Sequence, residues 1–222
     1  MHQINGLMTI INHTIPQKSE EQNQLIKMVT TATDRLSQMV TGLLDINAIE
    51  SGNVTMVLEK VELSAILREL EKEFSETAKK KQINLSATKP VLCFANVDKS
   101  RIYQVFENLV SNAIKFSPKS GNVSLSLETE NGKVCFSVRD SGPGLSDEDK
   151  SKLFNKFQKL SAQPTDGEHS TGLGLSIVKR FSEAMNGEVW CESEWGNGAT
   201  FFVEFESLED EIDQLDIKHP TP

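Results

Sequence analysis

Apolar residues in the first quarter of the chain recur at alternating steps of four and three, the heptad spacing of a helix that packs against another helix. These positions are Leu25, Val29, Ala32, Leu36, Met39, Leu43 and Ile46. Ser19 and Gln22 form a capping-box pattern before the stripe, and Ser51-Gly52-Asn53 ends it. A shorter apolar stripe closed by Pro16 predicts a preceding helix. Residues 1–52 are therefore predicted to form a helical hairpin.

One hairpin cannot bury such a long stripe by itself, whereas two copies can do so as a four-helix bundle. We therefore expect a homodimer through the N-terminal helices. The alternative is that the stripe packs only onto the following domain. We favour the homodimer because helices of globular proteins rarely keep such a strict repeat.

After residue 52 the pattern changes to that of a second domain, expected over residues 63–206. Residues 53–62 are expected to be an extended connector, and residues 63–80 an amphipathic helix. Short apolar runs predict strands over residues 83–87 and 91–94. Asp98 is placed to cap the next helix. The predicted buried face of that helix consists of Ile102, Val105, Leu109 and Ala113.

The C-terminal half predicts more strands and one more helix. Alternating runs on either side of Asn131-Gly132 predict a two-stranded hairpin. A helix over 176–185 is followed by a strand pair over 189–194 and 199–205. Since helices and a mostly antiparallel sheet occupy separate runs, the predicted class is α+β, with a helical hairpin followed by a two-layer α/β sandwich. Residues 207–222 are predicted to be an acidic tail or linker.

Composition narrows the class of partner. The 222-residue chain has a formal charge of −9 and no basic patch, which argues against a nucleic-acid partner. No apolar run approaches the roughly 20 residues needed to span a bilayer, so we expect no membrane contact by this chain. Whether the parent protein is membrane-anchored stays open. The three cysteines lack metal or redox spacing and are interpreted as reduced thiols of a cytoplasmic protein.

Three polar side chains share one face of the helix that follows Asp98. Asn108, Asn112 and Lys115 stand at i, i+4 and i+7, which aligns two amide oxygens and a cation. No packing requirement explains this row. A magnesium–triphosphate could use all three groups.

Asp140 has the same strand parity as Val134, Phe136 and Val138, so its side chain is expected on the apolar side of the sheet. A buried carboxylate needs hydrogen-bond donors. The exocyclic amine of adenine is one such donor, and backbone N–H groups of its own Asp-Ser-Gly turn are another. From this residue alone both interpretations stand.

Two glycine pairs accompany these residues. Gly142 and Gly144 allow close backbone approach, while Gly172 and Gly174 open a helix directly. A glycine turn before a helix N-terminus favours bound phosphate, although an ordinary turn has the same pattern.

The aperiodic stretch from Leu160 to Ser170 is predicted to be a functional lid. Phe154 and Phe157 are expected to anchor its start. Lys156 or Lys159 could reach a terminal phosphate.

Residues 97–206 resemble the catalytic ATP-binding domain of sensor histidine kinases, which belongs to the wider group of gyrase-like and chaperone ATPases. The asparagine motif, both glycine boxes, the paired-Phe box and the closing Gly196-x-Gly198-Ala199-Thr200 turn occur in the family order. Five modest motifs in one order are highly specific together.

The resemblance implies ATP and Mg²⁺ as cofactors. It implies Asn112 as the metal ligand, Asn108 and Lys115 on metal or phosphates, and Asp140 on adenine. Lys159 stands where the family commonly has an arginine, and with Asn108 and Lys115 it completes the expected catalytic set. The expected nucleotide contacts also include Gly142, Gly144, Thr171, Gly172, Leu173, Gly174 and Thr200. Ser170 stands where glycine is frequent.

The implied reaction is transfer of the ATP γ-phosphoryl group to a histidine, for relay to an aspartate of a response-regulator receiver domain. Hydrolytic members of the wider group carry a glutamate base where this chain has Asn108, so fast ATP hydrolysis is not expected. The alternative is an ATP-binding module that recruits or regulates a response regulator without transfer.

The acceptor histidine has two candidate positions. In the first register His2 is the acceptor, but its neighbours lack the acidic, basic and proline residues of the family box. In the second register residues 3–8 match the segment after that box, so the acceptor lies upstream of Met1. We favour the second register because the hairpin length then fits.

Overall fold

The structure is a computed structural model that describes residues 19–51, 55–89, 91–158, 160–165, 168 and 170–208. The predicted first helix of the hairpin, His2, Lys159 and the predicted tail beyond residue 208 lie outside the described residues. None of the described helices is long and apolar enough to cross a membrane.

Helix α1 spans Glu20–Glu50 and begins with the predicted capping box. The Ser19 N–H donates to Gln22 Oε1 at 3.0 Å, and the Gln22 N–H donates to Ser19 Oγ at 3.2 Å. Ser51 caps the C-terminal end, so both predicted ends are confirmed. Along the heptad stripe, Leu25 and Leu36 are exposed in the single chain, whereas Leu43 packs against the core of the second domain.

The second domain joins a mixed sheet to a layer of helices. Its strands are β1 Glu59–Glu62, β2 Asn84–Ala87, β3 Phe94–Val97, β4 Asn122–Glu130, β5 Lys133–Arg139, β6 Glu188–Ser193 and β7 Ala199–Leu208. Its helices are α2 Leu63–Lys80, α3 Lys99–Phe116, α4 Asp147–Lys152 and α5 Gly174–Ala184. The sheet runs β1-β3-β7-β5-β4-β2, with β6 also paired to β7. Among the described strands only β2 and β4 pair in parallel, so the mostly antiparallel sheet predicted for this domain is confirmed.

Helix α3 forms the centre of the helical layer. Asp98 Oδ1 accepts from the N–H groups of Ser100 and Arg101, so the predicted N-cap is confirmed. The predicted apolar face of α3 is buried, and the ring of Phe106 stacks on Phe136 of β5 at 3.8 Å between centroids. The opposite face of α3 is therefore free to carry the polar row.

Two strand predictions need correction. Residues 59–62 were expected to belong to a connector, but they form β1 and pair antiparallel with β3. The strand predicted over 91–94 lies instead at Phe94–Val97, because Val91 and Leu92 are exposed and the pairing with β1 and β7 starts at Phe94. Hydrophobicity alone placed that strand too early.

Turns in the C-terminal half follow the prediction. Asn131 and Gly132 both have positive φ, 52° and 77°, as a tight hairpin between β4 and β5 requires. Helix α5 starts at Gly174, two residues earlier than predicted, and ends before Asn186-Gly187. The earlier start places Gly174 on the first turn of α5.

Helix α1 packs against α5 at Gly42. A Cβ atom on Gly42 would lie 3.1 Å from Ile177 Cδ1 and 3.3 Å from Leu173 Cδ1. The absent side chain therefore lets the two helices approach closely, and Leu173 and Ile177 are both buried.

Gly42→Leu is expected to break this packing, because added methyl groups in a close contact typically cost about 1–3 kcal/mol. The measurement is the methyl NMR spectrum, in which the Leu173 and Ile177 signals should move. Thr41→Leu is the matched control, since Thr41 is exposed at the preceding position of the same helix. Equal spectra for both variants would show that α1 does not dock on α5 in solution.

Candidate nucleotide-binding site

A cavity of about 220 Å³ lies where the helical layer, the β5–α4 loop and the predicted lid meet. Its polar lining includes Asn112, Asp140, Gln158, Gln163, Glu168 and Ser170. Its apolar lining includes Phe116, Pro143, Leu145, Leu153, Leu160, Ala162, Pro164, Leu175, Ala199 and Phe201. Gly144, Gly172 and Gly174 complete the lining where backbone approaches the cavity. A mainly apolar cleft with a few converging polar groups is typical of a small-molecule site.

Asp140 forms the polar floor of this cavity. Its Oδ1 accepts from the Gly142 N–H at 2.7 Å and from the Ala199 N–H at 3.2 Å. No described residue donates a hydrogen bond to Oδ2. Burial raises the pKa of the Asp140 carboxyl, and the two N–H donors act in the opposite direction. The turn therefore satisfies one carboxylate oxygen and leaves the other for a ligand.

The asparagine face of α3 meets the start of α5. Asn108 Nδ2 donates to the Gln104 carbonyl at 2.8 Å, which turns its Oδ1 towards Gly174. A Cβ atom on Gly174 would lie 2.9 Å from Asn108 Oδ1 and 3.8 Å from Asn112 Nδ2. Only glycine fits here without displacing the amides. The sequence-distant asparagine and glycine motifs thus form one surface.

Gly144 is a second position where backbone approaches backbone. It has a φ of 71°, and a Cβ atom there would lie 2.1 Å from the Glu194 carbonyl oxygen. The β5–α4 loop therefore packs directly on the β6–β7 turn. This contact fixes the loop that carries Asp140 and Pro143.

Lys115 is half-buried near the end of α3. Burial lowers the pKa of its ammonium group, while the nearby carboxylates of Glu168 and Glu107 act in the opposite direction. The cation therefore lies in a partly desolvated position, where its attraction to an anion is stronger than in bulk water.

The structure brings most of the predicted site residues together. Asn112, Asp140, Gly144, Gly172 and Gly174 line the cavity. Asn108 lies against Gly174, and Gly142 is bound to Asp140. Lys115 and Thr171 are half-buried near the cavity but do not line it.

The side chains of two further predicted residues do not line the cavity. Leu173 is buried with its side chain beside Gly42 of α1, because it faces the helix contact and not the cavity. Thr200 pairs with Arg139 and Glu192, which are both exposed. Side chains alternate along a strand, so Thr200 points away from the face on which Ala199 and Phe201 line the cavity.

The paired phenylalanines behave differently from one another. Phe154 packs against the core, as predicted. Phe157 is 54% exposed with a φ of 58°, and its N–H donates to the Gly172 carbonyl at 2.9 Å. Phe157 is therefore held at the start of the lid by its backbone, while its ring stays exposed. Lys156 does not line the cavity.

Sequence reasoning missed several residues of this site. The strand parity of Ala199 and Phe201 could have identified them, since they alternate with Thr200. Lys81, Thr165 and Glu168 had no local signal. Lys81 follows a helix like many solvated lysines, and Glu168 lies in a polar stretch without periodicity.

The model of the family described as "Histidine kinase-, DNA gyrase B-, and HSP90-like ATPase" matches residues 97–209. The chain belongs to this family. The match begins at the end of β3 and includes the whole cavity lining. This match confirms the resemblance that the motifs indicated. The matched residues form an ATP-binding catalytic domain of the histidine kinase type.

Proteins similar to this chain include histidine kinases. The circadian input-output histidine kinase CikA of Synechococcus elongatus is 29% identical over 88% of this chain, which spans 26% of that protein. The crystal structure of full-length ShkA in complex with AMPPNP is 28% identical and aligns with 94% of this chain and 46% of ShkA, at a TM-score of 0.72. The histidine kinase ThkA in complex with the response regulator TrrA is 27% identical, with 92% of this chain and 58% of ThkA covered, at a TM-score of 0.67. This chain therefore spans about half or less of ShkA and CikA.

Proposed function

We propose that this chain is the ATP-binding catalytic part of a two-component sensor histidine kinase, which transfers the γ-phosphoryl group of ATP to a histidine. The observation that carries the proposal is the cavity that joins a carboxylate with one unbound oxygen to an amide face and a glycine-opened helix. Membership of the ATPase family supports it. So does similarity to ShkA, whose structure contains AMPPNP.

Adenine is proposed to bind at Asp140. Its exocyclic amine would donate to Asp140 Oδ2, and its flat ring suits the apolar walls formed by residues such as Leu145, Leu153 and Phe201. A charged acceptor in a desolvated pocket makes a stronger hydrogen bond than a neutral one. The same carboxylate disfavours a guanine, which presents a carbonyl at the corresponding ring position.

The phosphates are proposed to lie between α3 and the start of α5. Gly172 and Gly174 place backbone at the N-terminus of α5, where the helix dipole favours anions. Asn108 and Lys115 would contact phosphate or metal from α3, and the backbone around Thr171 would complete the turn. Lys159 is proposed as a further phosphate contact from its place in the sequence.

Mg²⁺ fits the donors at this position. The cation prefers oxygen ligands and is usually completed by water and substrate phosphates. Asn112 would supply one amide oxygen, with Asn108 beside it. The described residues contain no group of three or more His, Cys, Asp or Glu side chains arranged for a metal. The ion is therefore proposed to bind together with the nucleotide, and it would neutralise charge on the phosphates.

The acceptor is proposed to be a histidine of the N-terminal helical hairpin. Neutral imidazole is already a nucleophile, so positioning and charge neutralisation suffice for the transfer. Asn108 Nδ2 is bound to a helix carbonyl and its amide has no basic character. The site is thus suited to phosphoryl transfer and not to activation of water.

The partners follow from α1 and from the relatives. The apolar stripe is exposed in the N-terminal half of α1, at Leu25, Val29 and Leu36. This exposure supports a homodimer through the N-terminal helices. The complex of ThkA with a response regulator supports a receiver domain as the phosphoryl acceptor downstream. Both partners are proposals for this chain.

The test is calorimetry with ATP followed by transfer of label. We expect ATP to bind at full affinity only when magnesium is present. We also expect γ-labelled ATP to label the hairpin of a related kinase, supplied in trans with its histidine. Acid-labile label on this chain itself, lost in His2→Ala, would support His2 as the acceptor. ATP binding without any transfer would favour the interaction module, and steady phosphate release would favour a hydrolase.

A further inference from the structure

Lys81 is a buried lysine immediately after α2, with a side chain that is 5% exposed. Lysine is almost never buried unless it is paired. Its Nζ donates to the carbonyls of Ile114 at 2.8 Å and Lys115 at 2.7 Å, and to both carboxylate oxygens of Glu168 at 3.0 Å. An ammonium group has three N–H donors, so these three partners use all of them.

The two carbonyls belong to the last turn of α3. The final carbonyls of a helix lack intrahelical partners and carry the negative end of the dipole. Lys81 therefore caps α3 from a distant part of the chain. The capped turn contains Lys115 and follows Asn112 by one turn, so the cap fixes the helix that carries the proposed phosphate and metal contacts.

The third partner, Glu168, belongs to the lid segment, defined here by the described residues 160–165, 168 and 170. A second lid residue is tied to the same place. The Thr165 N–H donates to the Lys115 carbonyl at 3.2 Å, and Thr165 Oγ1 donates to the Ser117 carbonyl at 2.7 Å. The Lys115 carbonyl thus accepts from both Lys81 and the lid. Near the beginning of the lid, Ser161 is bound to Asp149 of α4.

The lid segment forms one wall of the cavity, since Gln163, Pro164, Glu168 and Ser170 line it. The position of the lid segment on α3 therefore closes one side of the cavity. Opening the lid separates Glu168 from Lys81 and leaves a desolvated ammonium with one donor unpaired. Such a loss is costly in a buried position. The contact thus favours the lid position seen here.

We infer that Lys81 is a positioning residue of the nucleotide site, which holds the lid segment on the end of α3 through Glu168 and thereby slows nucleotide exchange. The effect on exchange rests on the proposed function, whereas the attachment of the lid does not. The two parts can be tested separately.

The first test is hydrogen–deuterium exchange without nucleotide, on the full chain. Glu168→Ala removes the carboxylate of a partly exposed residue, and amides of residues 160–165 should exchange about tenfold faster. Glu148→Ala is the matched control, because it breaks the exposed ion pair with Lys152 and changes the charge equally. Unchanged lid exchange in Glu168→Ala, or an equal increase in Glu148→Ala, would overturn the inference.

The second test follows a fluorescent ATP labelled on its ribose by stopped flow. Both its association and dissociation rates should rise about tenfold in Glu168→Ala, with a smaller change in affinity. Lys81→Met should raise both rates at least as much, because it removes the contact with Glu168 and also the bonds to the carbonyls of Ile114 and Lys115. The double variant should differ little from Lys81→Met, because the contact between Lys81 and Glu168 is already absent there. A change in association alone that disappears at high salt would mean that Glu168 acts only by its charge, and the inference would be wrong. If the unmodified chain binds no nucleotide, the proposed function fails while the first test still decides the lid attachment.

Discussion

Replacing Asn112 with alanine is expected to slow phosphoryl transfer by about 10²–10³-fold, the usual cost of removing one preorganised group that stabilises transition-state charge. Asn112 lines the cavity beside Gly174, and the described residues contain no carboxylate cluster that could hold the ion instead. The variant should therefore lose the magnesium-dependent part of its ATP affinity. The measurement is the ATP affinity with and without magnesium, together with the transfer rate to a hairpin supplied in trans.

Two further variants sharpen this result. Asn155→Ala removes an exposed amide outside the cavity lining and should leave both quantities unchanged. Asn112→Asp keeps an oxygen ligand and should restore the magnesium dependence in part. If Asn112→Ala retains the full magnesium dependence, another group holds the ion and the assignment of Asn112 fails.

Asp140→Asn is expected to weaken ATP binding by about ten- to a hundredfold, the usual contribution of a hydrogen bond to a charged group. Asparagine keeps one oxygen for the N–H groups of Gly142 and Ala199, so the turn should remain folded. It places an amide donor where the adenine amine needs an acceptor. Calorimetry with ATP and GTP should therefore show that the preference for ATP falls.

The pH dependence gives an independent readout. Burial raises the pKa of Asp140, and ATP binds the ionised carboxylate. Affinity for ATP should therefore fall as the pH is lowered through this raised pKa, at higher pH than for an ordinary aspartate. The linked effect on folding has the opposite sign, because a raised carboxyl pKa favours the folded state at low pH. A loss of affinity from this group is thus not explained by unfolding.

Asp147→Asn is the control for Asp140→Asn. Asp147 is fully exposed on α4 and pairs only with Lys150 among the described contacts, so the same charge change should leave ATP affinity and its pH profile intact. Equal ATP affinity and pH profile for Asp140→Asn and the unmodified chain would place adenine elsewhere.

Elements with local causes were predictable. The capping box of α1, the Asp98 cap of α3, the Asn131-Gly132 turn and the apolar face of α3 all depend on residues within one or two turns of each other. The order of the motifs was enough to identify the family and to predict five of the residues that line the cavity. Each of these features depends on the spacing of residues along the chain, which the sequence shows directly.

Strand placement and side-chain direction were less predictable, because they depend on partners far along the chain. β1 forms because β3 lies beside it, and the apolar Val91 and Leu92 stay exposed because none of the described strands covers them. Leu173 belongs to a glycine motif, yet its side chain fills the contact with Gly42. These outcomes depend on packing between elements.

Spacing along the chain thus specifies the helices, the tight turns and the chemical types that meet a nucleotide, since those depend on neighbours a few bonds away. Three-dimensional packing alone shows that one oxygen of Asp140 is used by its own turn, that Thr200 faces away, and that Lys81 and Glu168 meet across 87 positions. A buried charge is tolerated only beside its partner, and that partner is found by folding and not by proximity in the chain.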